Sequence, residues 1–128
     1  MSFYPFAAPG FTLRSQTTVA GFTLVNATPT IITWAVPNDG LLHGYQIFAQ
    51  QSVTVNEVGG ELAIVFTSVD GNVESQQLSA AGLTAGVYGP GSFSWLSGLA
   101  KAGTTITLEQ FTALTGGAAT FWAQIWGT

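Results

Sequence analysis

Charge is the scarcest commodity in this 128-residue chain. Lys and Arg total 2, Asp and Glu total 6, and charged residues make up 6% of the sequence, where a soluble domain ordinarily carries about 25%. They are Arg14, Lys101, Asp39, Glu57, Glu61, Asp70, Glu74 and Glu109, with His43 as the one histidine. Two cations cannot neutralise a phosphate backbone, so no nucleic acid partner is expected. The same shortage, with a net charge of −4, argues against an anionic membrane surface. Cysteine is absent, which removes disulfides, thiolate metal sites and a cysteine nucleophile and leaves the redox compartment open. No uninterrupted apolar run reaches the ~18 residues of a membrane-spanning helix. The opening stretch MSFYPFAAPGFTLRSQ has no basic region ahead of its apolar residues and is broken by prolines, so it does not read as an export signal. Without one, the Asn26-Ala27-Thr28 sequon reads as chance.

Site chemistry is equally thin. A zinc site takes three or four ligands, and His43 has no second histidine to join it, so a structural or solvated role is expected for it. No serine sits in a G-x-S-x-G elbow, and the 16 glycines form neither a P-loop nor a strand-linked G-x-G-x-x-G. Glu57, Glu61, Asp70 and Glu74 bracket one hairpin, and strand pairing that gathered them at one end would suit calcium or glycoside chemistry. The spacing of a calcium loop is missing, so they read as solubilising charges at exposed turns. No enzyme activity, metal or cofactor is expected, and chelators and thiol reagents should leave folding unchanged.

What is present is punctuation and alternation. Glycines, prolines and threonines separate short β-branched and aromatic runs, the pattern of an all-β chain. In Tyr45 to Val55, Tyr45, Ile47, Ala49, Gln51, Val53 and Val55 share one face, and Gln46, Gln50, Ser52 and Thr54 share the other, with Phe48 breaking the pattern. Glu61 to Val69 is apolar at both parities, and Asp70-Gly71 turns it into Val73 to Leu83. Further strands are expected at Thr17 to Asn26, Thr28 to Val36, Ser92 to Leu99, Thr104 to Leu108 and Ala118 to Trp126. Thr84 to Gly91 reads as a loop, and Glu109 to Leu114 as a helical turn or a continuing strand. About eight strands at roughly 8–12-residue spacing predict an antiparallel β-sandwich of jelly-roll type. Residues 1–16 form an N-terminal arm in this reading, and residues 17–128 form the domain.

The aromatics point to assembly. In the last strand Phe121, Ala123 and Ile125 project one way, and Trp122, Gln124 and Trp126 project the other. One domain core uses only one of these faces. Trp122, Gln124 and Trp126 are therefore expected at a subunit interface. Phe3, Tyr4, Phe6 and Phe11 make the arm too aromatic for a solvated tail, so it is expected to bind a partner. The alternative for exposed aromatics, including Tyr88, is a platform for stacking on sugars.

Two segments carry a resemblance. Ala102-Gly103-Thr104-Thr105-Ile106-Thr107-Leu108 and Phe121-Trp122-Ala123-Gln124-Ile125 resemble the end of tumour-necrosis-factor and complement-type trimeric jelly rolls. There, a strand leads to A-G-x-x-I-T-L and then to an aromatic-alternating last strand. Thr104 stands where that family usually has an acidic residue. The low charge and absence of cysteine are also similar to small structural proteins of tailed bacteriophages, such as capsid decoration proteins or knobs. The resemblance covers roughly residues 18–128 and implies a homotrimer with no catalytic residues. It implies a virion structural protein on the outer capsid surface, bound to the major capsid protein or another virion protein. A carbohydrate- or receptor-binding module is the alternative.

Overall fold

Runs of β-branched and aromatic residues can satisfy their main-chain polar groups only by pairing, and the alternation along them decides which face is buried. A computed structural model describes residues 10–16, 30–56, 59, 61–79, 86–88, 96–112 and 119–128. Among them are nine strands: β1 (Thr12–Gln16), β2 (Thr30–Ala35), β3 (His43–Val53), β4 (Leu62–Thr67), β5 (Val73–Ser79), β6 (Gly86–Tyr88), β7 (Leu96–Ala100), β8 (Thr105–Gln110) and β9 (Ala119–Gly127). One sheet runs β1-β9-β3, with β6 and β7 sharing the far edge of β3; the other runs β2-β8-β4-β5. Every pairing is antiparallel, and β1 with β9, β2 with β8, β3 with β6 and β7, and β4 with β5 nest inside one another. This nesting is the jelly roll expected from the strand spacing.

The core lies between the sheets. Ile32 and Trp34 of β2, Leu62, Ile64 and Phe66 of β4, and Ile106 and Leu108 of β8 face Tyr45, Ile47, Ala49 and Val53 of β3 and Ala123 and Ile125 of β9. Each strand contributes alternate residues, and burying a large apolar side chain is worth about 1.5–3 kcal/mol. Tyr45 keeps its hydroxyl inside by donating to Gln76 Oε1 at 3.2 Å. Burial, with Glu74 adding to it, pushes that phenol up to about 12, so it stays neutral. Gly98, directly opposite Tyr45, makes room for it: a Cβ there would stand 2.8 Å from the hydroxyl oxygen.

Two glutamines interrupt this apolar interior. Gln51 and Gln110 are fully buried, and among the described residues neither amide oxygen nor amide nitrogen has a hydrogen-bond partner. A buried amide without a partner costs about 1–3 kcal/mol. Gln51→Met and Gln110→Met, which keep length and volume, should each raise the midpoint of urea unfolding without changing its slope. A lowered midpoint in both would show that these amides support the fold.

Several boundaries differ from the sequence expectation. β3 begins at His43 and ends at Val53, so Val55 lies beyond it and is exposed. β4 stops at Thr67, leaving Val69 exposed in the β4–β5 turn, where Gly71 takes φ +90°. The expected loop 84–91 contains β6, three residues held by pairing with Gln51–Val53. Within 109–114, β8 continues through Gln110, the continuing strand of the two readings given for this stretch. Residues 12–16 of the arm form β1, an edge strand on β9. The expected strand 17–26 lies outside the described residues, as do residues 80–83 and 92–95 of two others.

Candidate functional site

The alternation of β9 divides its side chains as expected. Ala123 and Ile125 are fully buried between the sheets, while Trp122, Gln124 and Trp126 lie half-buried on the outward face. Register sets their neighbours. Trp126 lies between Leu13 of β1 and Gln46 of β3, Gln124 between Gln16 and Phe48, and Trp122 beside Gln50. The Trp126 indole N–H donates to Gln124 Oε1 at 3.0 Å, and Gln124 Nε2 donates to Gln16 Oε1 at 3.4 Å. These polar ends are thus engaged within the sheet. On β7, Leu99 is 52% exposed opposite Gly44. Phe48, the exception to the alternation of β3, points outward yet is 1% exposed and stands apart from the inter-sheet core. No Asp, Glu, Lys, Arg or His occupies the outward positions Leu13, Gln16, Gly44, Gln46, Phe48, Ser52, Leu99, Trp122, Gln124 and Trp126.

A second constellation closes one end of the sandwich. The His43 ring faces two acceptors: Nδ1 is 2.6 Å from the main-chain oxygen of Thr128, and Nε2 is 2.8 Å from Asp39 Oδ1. The same Asp39 oxygen accepts the Leu41 N–H at 3.0 Å. Trp34 meets the His43 ring edge-on, with centroids 6.2 Å apart at 83°, and the Arg14 guanidinium lies 5.6 Å from its own ring centroid. Arg14 Nε also donates to the Gly127 carbonyl at 3.2 Å. The hydrogen bond that Asp39 accepts from the ring raises the His43 pKa, the Thr128 oxygen adds to this, and burial and Arg14 oppose it. The bonds to His43 and then to Leu41 hold Asp39 below its ordinary value. The structural role expected for His43 is thus a specific one. Only the i,i+4 spacing of Asp39 and His43 hinted at it in the sequence.

Other expected site residues are scattered. Phe3, Tyr4, Phe6 and Glu57 lie outside the described residues. Phe11, placed with the partner-binding arm, packs on its own domain, with its ring against Gly44 where a Cβ would meet it at 2.9 Å. The acidic residues do not converge. Asp70 sits at the β4–β5 turn, accepting from Ser68 Oγ and Asn72 Nδ2, while Glu61 precedes β4 at its far end and accepts from Gln77 Nε2 at 3.1 Å. A six-residue strand of about 20 Å separates them, and among the described residues no three His, Asp or Glu side chains cluster as metal ligands would.

The sequence matches no family model and no curated protein. Among solved structures, a chain from the structure of infectious bursal disease virus Gx strain is similar at a TM-score of 0.56 and 12% identity, over 91% of this chain and 31% of the viral one. The CBM22-1–GH10 modules of Clostridium thermocellum xylanase 10B with xylohexaose reach a TM-score of 0.38 at 13% identity, over 93% of this chain and 26% of theirs. The CBM22-1 xylan-binding domain of Paenibacillus barcinonensis Xyn10C gives 0.37 at 10%, over 93% of this chain and 96% of its own. The viral likeness is one of fold. This chain is an antiparallel jelly-roll β-sandwich.

Proposed function

We propose that the chain is a non-enzymatic virion structural protein, a trimeric decoration protein that binds and stabilises the outer capsid surface of a tailed bacteriophage. The observation that carries this reading is the charge-free outward face of the β1-β9-β3-β7 sheet, centred on Trp122 and Trp126. Large apolar patches on a monomer are uncommon, and burying such a face is worth about 25 cal/mol per Å². Three copies would cover it with one another. The viral chain that shares the sandwich is consistent with a place in a particle. Phe3, Tyr4 and Phe6 then reach the major capsid protein or another virion neighbour. With two cations in the chain, neither nucleic acid nor an anionic membrane is a partner in this reading.

Deletion of residues 1–9 tests the attachment role, because it leaves β1 intact and Phe11 on Gly44. The shortened protein should keep its oligomeric state and melting temperature but no longer bind particles depleted of the full-length protein. Full binding by the shortened trimer would remove the arm from the proposal. A second reading, a carbohydrate- or receptor-binding module, is favoured by the Trp122–Gln124–Trp126 row, whose two indoles stand on one face about 13 Å apart along the strand. Binding of the isolated protein to a glycan array, lost on Trp122→Ala, would select it.

A further inference from the structure

We propose that His43 is a proton-operated latch: as the imidazolium it ties the β2–β3 loop to the end of β9, and loss of one proton opens that tie. A main-chain oxygen and an ionised carboxylate can only accept, and both His43 ring nitrogens lie within 2.8 Å of such an oxygen. Both contacts are satisfied together only when both nitrogens carry hydrogen. A neutral ring keeps one N–H, so one of the two contacts becomes a lone pair facing a lone pair.

The parts that would move are also fixed by the structure. On one side is Thr128, whose N–H donates to the Gly44 carbonyl at 3.1 Å and whose Oγ1 accepts the Gly44 N–H at 2.9 Å. On the other is Asp39, whose carboxylate shapes the turn at Leu41, with Gly40 at φ +73°. That turn holds Leu41 and Leu42 in solvent, 63% and 57% exposed. Asp39 from the loop and Arg14 from β1 are the charged groups that act on His43; β2 presents the Trp34 ring, and Thr128, just after β9, presents its main-chain oxygen.

The sign follows from the two directions. The His43 pKa is raised on folding, so its contribution is complete below about pH 6.5 and is lost as pH rises through the raised value. The Asp39 pKa is lowered, so its contribution is present above 3.8 and is lost as pH falls through the lowered value. The latch is closed on a plateau between these limits and opens on both sides.

With a single histidine in the chain, the imidazole proton signals in an NMR titration belong to His43 without further assignment. The wild-type protein should titrate above 6.5, and the amide signals of Leu41, Gly44 and Thr128 should shift in step with it. In Asp39→Asn the His43 pKa should fall toward its ordinary value. In His43→Gln the three amides should show no transition between pH 6 and 9. A wild-type pKa at or below 6.5 overturns the latch. So does a raised pKa with amides that ignore it, since His43 would then be charged without holding anything.

Discussion

Gly127→Ala should destabilise the domain by about 3 kcal/mol, lowering its melting temperature by roughly 10–15 °C. A Cβ at this position would stand 2.2 Å from Trp34 Cη2 and 2.5 Å from Cζ3. Neither partner is free to give. Trp34 is 7% exposed in the core, with Arg14 over one face of its ring and His43 at its edge. The Gly127 main chain pairs with Thr12 on one side and Tyr45 on the other. Overpacking such a site typically costs about 1–3 kcal/mol, and displacing the indole adds the loss of the cation contact, about 0.5–1 kcal/mol. Thermal unfolding followed by circular dichroism reads the total, and the double variant reads its cause. Trp34→Leu removes the obstructing ring atoms, so Gly127→Ala should cost far less in that background, a coupling of about 1–3 kcal/mol. Strict additivity would place the cost elsewhere.

The second large effect concerns assembly. Trp126→Glu should convert the proposed trimer to monomer, or to aggregate, at micromolar concentrations. The carboxylate would enter a face with no cation among its described outward residues to pair with, and an unpaired buried charge costs several kcal/mol. At about 1.4 kcal/mol per factor of ten, such a cost weakens each contact at least a hundredfold. The fold itself should survive, because Trp126 lies outside the inter-sheet core and its indole N–H is bonded to Gln124, a neighbour on the same outward face. Sedimentation velocity with matched melting curves separates these effects. A wild-type protein that is monomeric at micromolar concentration would refute the trimer outright.

The parts of the fold that rest on local patterning were legible in the sequence. Alternation in β9 placed Ala123 and Ile125 inside and the two tryptophans outside, and Asp70-Gly71 marked the β4–β5 turn correctly. What depends on distant partners was not. His43 and Gly44 look like a break before a strand, yet Ala100 and Leu99 of β7 pair with them and extend β3. β1 has no apolar alternation, only a partner in β9. β6 hides among glycines because three residues carry too little pattern to register against the turns around them. The end cluster assembles Arg14, Trp34, Asp39, His43 and Thr128, and no window of sequence contains them all. Glu61 and Asp70, read as solubilising charges, are near in sequence and held apart by the strand between them.

The position of β9 has a consequence for how the chain acquires this shape. It follows the other eight strands in the chain but stands in the interior of its sheet, between β1 and β3. The contact from Thr12 to Gly127 closes a separation of 115 residues, and pairings of such span form slowly, in milliseconds to seconds for comparable β topologies. During synthesis β1 emerges early, and among the described strands its sheet partner is β9, which comes last. The four-stranded β2-β8-β4-β5 sheet is complete in sequence before β9. Until β9 pairs, the Tyr45–Val53 edge of β3 is an open template, and a chain in that state is the one most exposed to pairing with the wrong copy.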